Sequence, residues 1–316
     1  MSKLDEKEII NIITNTLGIG GDLDDVALID KNIVFKADML VANTDVPPGM
    51  EPWQVARKSI ASCVSDLAAK GIKPHAALIS LGLPKGCTRL YVEGLAEGFA
   101  VAAKEFGLKI VGGDTNETDG LIIDCSVIGF AKNGSRMPKR KGARPGDLVI
   151  VSGMFGLPPA GLAILMHGAK ATNGMFRKQA IDSVLEPKPR QRFGIALAKY
   201  FSSSIDSSDG LAISLYELAK QSRVSIVIDN IPILDGVEQF ANENGIEPNE
   251  LVFHGGEEYE IVATLPETKL SRAQAAAKKA KVKLHIIGRV QRGPGNVFVG
   301  ENVLENRGYV HFRRSC

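Results

Sequence analysis

The stretch PWQVARKSIASCVSDLAAKG, Pro52 to Gly71, reads as one helix with its stop. Proline suits a first helical turn and glycine the position past the last one. Trp53, Ala56, Ile60, Cys63 or Val64, and Leu67 recur at helical spacing and form an apolar stripe. Asp66 lies two-thirds of the way along this helix, which otherwise shows an apolar face, an unusual place for a carboxylate.

Working outward, Ala76 to Leu83 reads as a strand, Arg89 to Phe106 as a helix, Lys109 to Val111 as a short strand running into Gly112-Gly113, and Leu121 to Ala131 as another strand. Upstream, Asp5 to Leu17 is helical, with Ile9, Ile10, Ile13 and Leu17 on one face, and Ile33 to Lys36 is a strand. The polar, basic stretch Lys132 to Asp147 ends in Pro145-Gly146-Asp147 and marks a domain boundary, giving 1–142 and 143–316. Beyond it come strands at Leu148 to Val151, Ser225 to Ile228, Tyr259 to Leu265, Leu284 to Val290 and Val297 to Val299, with a short element at Ile205. Helices fall near Ala160 to Met166, Arg190 to Phe201, Leu211 to Gln221 and Ser271 to Ala280. Strands and helices mix in both halves, so the fold class is two α/β or α+β domains.

The chain has 316 residues, 44% hydrophobic and 23% charged, ordinary values for a folded globular protein, and length alone points to about two domains. A net charge of +2 is too balanced for a protein that lives on nucleic-acid phosphates. Arg136, Lys139, Arg140, Lys141 and Arg144 lack interleaved aromatics and read as a solvated hinge. Leu148 to Ala169 carries no Asp, Glu, Lys or Arg, but Gly153, Gly156, Pro158, Pro159 and Gly161 break it, so no membrane span is expected. Met1 to Asp30 is charged throughout and shows no signal-peptide pattern. Cys63, Cys87, Cys125 and Cys316 make no CxxC pair; reduced thiols and a cytoplasmic location are expected.

Of 17 aspartates, 12 lie in the first 150 residues, many beside glycines or at strand ends, so they call for a collective explanation. Asp24 and Asp25 follow Gly20-Gly21-Asp22, Asp38 follows a strand, and Asp114 follows Gly112-Gly113. Any one of these reads as a turn former or helix cap. As a set they are the hard oxygen ligands that Mg²⁺ on a polyphosphate needs. Asp206-Ser207-Ser208-Asp209-Gly210 precedes a helix whose free N–H groups favour anions. His254-Gly255-Gly256-Glu257-Glu258-Tyr259-Glu260 sets paired glycines before acids at a strand start. GxxxxGK[ST], a strand-linked GxGxxG and the protein-kinase motif set are all absent.

SDLAAKG (Ser65 to Gly71), GGDT (Gly112 to Thr115), DSSDGL (Asp206 to Leu211) and GGEEYE (Gly255 to Glu260) occur in this order, with DDVAL (Asp24 to Leu28) and ADMLV (Ala37 to Val41) before them. Together they resemble the thiamine-monophosphate kinase family, in the superfamily of aminoimidazole ribonucleotide synthetase and selenophosphate synthetase. The resemblance covers about Gly18 to Phe312. It implies a two-domain α/β (α+β) fold of the aminoimidazole ribonucleotide synthetase type, a homodimer paired through N-terminal sheets, and ATP- and Mg²⁺-dependent phosphorylation of thiamine monophosphate. Metal ligands would then be Asp25, Asp38, Asp66, Asp114, Asp206 and Asp209. ATP contacts would be Gly113, Asp114, Arg140 and Ser208, with Arg140 stabilising charge and no residue serving as general base. Substrate contacts would be Asp45, Glu257, Glu258 and Tyr309.

The chain also departs from the family pattern. Gly21-Asp22-Leu23-Asp24-Asp25-Val26 replaces the commoner GDDAAV, and Lys36-Ala37-Asp38 replaces Ser-Thr-Asp, losing a hydroxyl. Asp45 stands where His is frequent, and Glu258 where Asp is usual. Residues 1–62 hold no Cys, which disfavours a selenophosphate synthetase. The ATP carboxylates do not separate the thiamine enzyme from an aminoimidazole ribonucleotide synthetase; GGEEYE and Gly308-Tyr309 favour the former. A catalytically silent nucleotide binder is the reading of a different class, and only the altered Gly20 to Asp25 loop supports it.

Overall fold

Two sheets organise the chain. The computed structural model describes residues 4–19, 23–132 and 137–311. Gly20, Gly21, Asp22, Arg136, Phe312 and Cys316 lie outside these residues. The first sheet holds β1 (Ala27–Ile29), β2 (Ile33–Val41), β3 (Pro74–Pro84), β4 (Lys109–Thr118) and β5 (Ile122–Phe130) in the order β1-β2-β5-β3-β4. β3 and β4 are parallel; the other neighbours are antiparallel. The second holds β6 (Asp147–Val151), β7 (Ser203–Ser207), β8 (Ser225–Ile228), β9 (Glu260–Pro266), β10 (His285–Gln291), β11 (Val297–Val299) and β12 (Asn302–Val303) in the order β12-β11-β8-β10-β6-β9-β7. The chain passes from one sheet to the other between Phe130 and Asp147, through the basic stretch.

The helices are α1 (Glu6–Thr16), the single turn α2 (Ala42–Asp45), α3 (Pro52–Ala69), α4 (Arg89–Phe106), α5 (Leu157–His167), α6 (Gly174–Leu185), α7 (Gln191–Leu197), α8 (Leu211–Ser222), α9 (Val237–Glu243) and α10 (Leu270–Ala280). α3 and α4 cover one face of the first sheet. Ile60, Cys63, Val64 and Leu67 of α3 pack with Leu95 and Phe106 of α4 onto Val34, Ile79, Ile123, Cys125 and Val127. The two helices approach closely because position 98 is glycine: a Cβ there would stand 2.0 Å from the Trp53 carbonyl oxygen. The sheet's other face is open, and Met39, Leu78, Val111 and Phe130 are exposed on this side of the domain or along its edge strand.

α3 belongs to both cores. Its last turn, Ala68 and Ala69, packs with Phe193, Leu197, Ile261 and Ala263 of the second half. Residues Asp66 to Lys70 therefore sit at the seam between the two sheets.

Two strands run further than the sequence pattern indicates. β2 continues from Lys36 to Val41, and its inward face alternates Val34, Lys36, Asp38, Leu40. Charges interrupt the apolar alternation there because they pair with α3, as described below. β4 continues through Gly112-Gly113-Asp114 to Thr118, because it is paired along its length with β3. Gly113 lies opposite Ile79, and a Cβ on it would stand 1.7 Å from the Ile79 carbonyl oxygen. The sequence reading contains neither α6 nor α9, which with α5 form a satellite core around Phe176, Val237 and Phe240.

Candidate active site

Three carboxylates meet at the seam. Asp25 lies in the N-terminal loop before β1, Asp66 comes from α3, and Asp206 from near the end of β7. All three are buried, and each offers an oxygen within 4.8 Å of the others. Burial and the charge of Asp206 hold the Asp66 carboxyl well above its ordinary range, and burial and Asp25 push Asp206 up as well. Asp25 goes the other way: burial opposes ionisation, but Lys70 and Arg140 outweigh it and lower its pKa.

Three basic side chains pair with these acids or their neighbours, and a fourth, Lys58, bridges to the GGEEYE loop. Arg140 places Nε 2.6 Å from Asp25 Oδ1. Lys70, with no exposed side-chain surface, contacts Asp24 at 2.6 Å and Asp25 at 2.7 Å, and donates to the Ser204 carbonyl at 2.7 Å. Lys36 lies 2.7 Å from Asp66 and 3.0 Å from Asp38; burial alone would lower its pKa, but the two aspartates hold the ammonium well above the ordinary value. Asp38 also accepts from the Ser62 hydroxyl at 2.9 Å. Lys58, buried on α3, donates to the Asp45 carbonyl and to Glu257 Oε1, both at 2.8 Å, tying the first domain to the GGEEYE loop.

That loop is conformationally strained. Glu257 and Tyr259 take left-handed backbone angles, φ of 69° and 51°, which bulky residues rarely adopt. Hydrogen bonds from their N–H groups to the Ser208 and Ser207 carbonyls hold the geometry. The alternation sends neighbouring acids apart. Glu257 faces Lys58 and the Tyr259 hydroxyl, whereas Glu258 is buried and accepts from the Gly156 N–H at the start of α5. Glu258 thus does not join the other expected substrate contacts: enclosed among Gly156, Glu260 and Arg190, it serves the second domain's interior.

The remaining expected residues divide in the same way. Asp209 and Ser208 are exposed in the turn before α8, and the Asp209 carboxyl is pushed up to about 6 by the surrounding protein and by Asp206. Tyr309 donates its N–H to the Asp209 carbonyl, and its ring hydroxyl is raised by partial burial and by the charges of Asp45, Asp209 and Glu257. The Asp45 carboxylate accepts from the Val41 N–H at 2.7 Å and closes α2. Asp114 is not in the cluster. It is exposed on edge strand β4, in the row Met39, Asp124, Ser80, Asp114, on the face opposite α3.

Sequence reasoning did not single out Lys58, Lys70 or Ser62. A lysine one residue before a helix-ending glycine reads as a solvated C-terminal cation. The available signal was the apolar run on both sides of the seam, which leaves no solvent for Lys70 to reach.

The triad's donor set fits a hard divalent cation: three clustered carboxylate oxygens, two of them held unfavourably for ionisation by burial and mutual repulsion that a bound cation relieves.

Comparison with known proteins places the chain by class. Residues 23–131 match the N-terminal domain of AIR synthase related proteins, and residues 144–301 match the C-terminal domain. Its relatives narrow this further. The chain is 41% identical to the thiamine-monophosphate kinase of Nitrosopumilus maritimus, covering 99% of this chain and all of that one, and 32% identical to the Escherichia coli thiamine-monophosphate kinase, over 94% and 92%. A solved structure, AaThiL complexed with AMPPCP and TMP, superposes with a TM-score of 0.88 at 30% identity over 99% of both chains. The chain belongs to the thiamine-monophosphate kinase family.

Proposed function

We propose that the protein transfers the γ-phosphoryl group of ATP to the phosphate of thiamine monophosphate, giving thiamine diphosphate and ADP by direct in-line displacement. The buried Asp25–Asp66–Asp206 cluster beside Arg140 is the observation that carries this reading. Phosphoryl transfer leaves a protein mainly positioning and charge neutralisation to do. A phosphate monoester has a second pKa near 6, so at neutral pH the acceptor is largely dianionic and attacks without a general base. The obstacle is repulsion between two polyanions. Mg²⁺ held by Asp25, Asp66 and Asp206, with Asp38 and Asp209 at the margins, would supply the neutralising charge.

The chain's own groups do the rest. Arg140, now on Asp25, stands where it can turn a guanidinium N–H toward a phosphate oxygen. Ser208 lines the nucleotide side, and the backbone at Gly113, next to Asp114 on β4, would reach it from a second copy of the chain as Asp114 does. Asp45, Glu257 and Tyr309 line the cleft that takes the thiamine end, with Lys58 fixing Asp45 and Glu257 across the seam. Residues 1–142 form the ATP-binding and dimerisation domain, and 143–316 complete the substrate side.

Asp114 enters through a second copy of the chain. β5 and β3 lie between β2 and β4, so Asp114 is about 14 Å of sheet away from Asp38 and on the other face. That face carries exposed apolar side chains, including Met39 and Leu78, that a homodimer covers. The test is a turnover assay with ATP, Mg²⁺ and thiamine monophosphate, read as thiamine diphosphate by mass spectrometry, with Asp66→Asn and Asp114→Asn beside the parent. Product from the parent, lost in both folded variants, is expected. A folded, ATP-binding parent that makes no product overturns the assignment.

A further inference from the structure

We propose that Lys36 is a tethered cation filling one cation position of the phosphoryl-transfer site, so that this chain assembles its nucleotide complex with one divalent ion fewer than its carboxylates could otherwise hold. The inference rests on the metal-assisted reading given above and goes beyond it in assigning a role to a residue outside the carboxylate set.

Lys36 rises from the inward face of β2, between Val34 and Asp38. Its ammonium joins two carboxylates from different elements, Asp38 on β2 and Asp66 on α3, at 3.0 and 2.7 Å. Asp66 is at the same time a member of the triad. Bridging carboxylates of separate elements is what a bound cation does in such a site. A lysine ammonium is a compact point charge with three donors, so it supplies one of the two positive charges a divalent ion would bring and still turns one N–H toward a phosphate oxygen.

Lys70 provides the contrast. Its side chain is wholly enclosed, and its three donors match Asp24, Asp25 and the Ser204 carbonyl. It clamps the N-terminal loop onto the seam and has nothing left for a ligand. The Lys36 side chain keeps 19% of its surface exposed, and its ammonium is ion-paired with Asp38 and Asp66. Replacing Lys36 by a small hydroxyl residue frees the Asp38–Asp66 gap and offers an oxygen in place of the charge, which turns it into an ion site.

The test counts ions. Mn²⁺, an oxygen-seeking stand-in for Mg²⁺, is titrated with saturating β,γ-methylene ATP into the full-length parent, Lys36→Ser, Lys36→Met and Asp66→Asn, and free Mn²⁺ is read by electron paramagnetic resonance. Thermal melts establish folding. Lys36→Ser is expected to bind one more Mn²⁺ per chain than the parent. Lys36→Met keeps the bulk and loses the charge; it should hold the parent's ion number and bind the nucleotide about tenfold more weakly, the scale of one charge-assisted hydrogen bond. Equal ion counts in the parent and folded Lys36→Ser overturn the inference. If Lys36→Ser does not fold, unchanged nucleotide affinity in Lys36→Met does so instead. Failure of the metal reading looks different: the parent then takes up no Mn²⁺, or Asp66→Asn takes up as much, and the Lys36 role falls with it.

Discussion

At the scale of single residues, the site is defined by which charges the fold can enclose. Lys70 is fully buried and paired with Asp24 and Asp25. Breaking a buried ion pair leaves an uncompensated charge, typically at a cost of about 3–5 kcal/mol. Lys70→Met is therefore expected to lose roughly that much stability in urea unfolding, with Mg²⁺ restoring part by binding only the folded chain; a loss under about 1 kcal/mol would contradict the clamp role. Glu258 carries the opposite sign. Burial raises its pKa well above the ordinary 4.5, the Gly156 N–H and Arg190 offsetting only part of this. The folded state then holds the proton more tightly than the unfolded one. The group's contribution is most favourable below pH 4.5 and declines as pH rises from there through the folded-state pKa. Glu258→Gln keeps an acceptor for Gly156 and removes that decline, so its melting temperature should gain on the parent's more at pH 8 than at pH 5. A gain that is the same at both values, or larger at pH 5, would rule this out.

At the scale of elements, legibility followed periodicity and failed where pairing overrode it. α3 and α4 are readable almost to the residue: each has a glycine just past its end, α3 starts on a proline, and Thr88 caps α4. β4 was cut short because two glycines look like a break, yet parallel pairing with β3 carries the strand across them. α6 and α9 went unread because their buried faces are short, centred on Phe176, Ala180 and Val184, and on Val237 and Phe240. In the site, Asp66 is visible as a carboxylate inside an otherwise apolar helix, and Asp25 and Asp206 as glycine- or serine-flanked acids. That Glu257 and Glu258 part company was not visible, since it depends on two left-handed backbone positions. The α3–α7 crossing is equally a matter of backbone approach: a Cβ at Gly194 would lie 1.8 Å from the Ala68 carbonyl oxygen. Gly194→Ala should destabilise the chain by about 1–3 kcal/mol, as overpacking does, and should lower turnover by shifting Asp66 relative to Asp206. A neutral effect on both would mean that α7 does not set the seam.

At the scale of the whole molecule, Asp114 stands apart from the clustered carboxylates. One chain brings Asp25, Asp38, Asp66, Asp206 and Arg140 together and leaves Asp114 on the far face of the first sheet, beside exposed apolar side chains. In the proposed function, a second copy over that face would bury the apolar surface and supply Asp114 to the site. Val111→Asp on the same edge strand should shift the protein to monomer by light scattering and abolish turnover together; an active monomer would separate the two. The most direct measurement mixes folded Asp66→Asn and Asp114→Asn chains after reversible dissociation and assays thiamine diphosphate formation. If each site draws Asp66 from one chain and Asp114 from the other, every mixed dimer has one intact site, and random pairing of inactive parents restores about a quarter of parental activity. Activity that stays at the level of the separate variants, with mixed dimers demonstrably formed, would contradict a phosphoryl-transfer site shared between two chains.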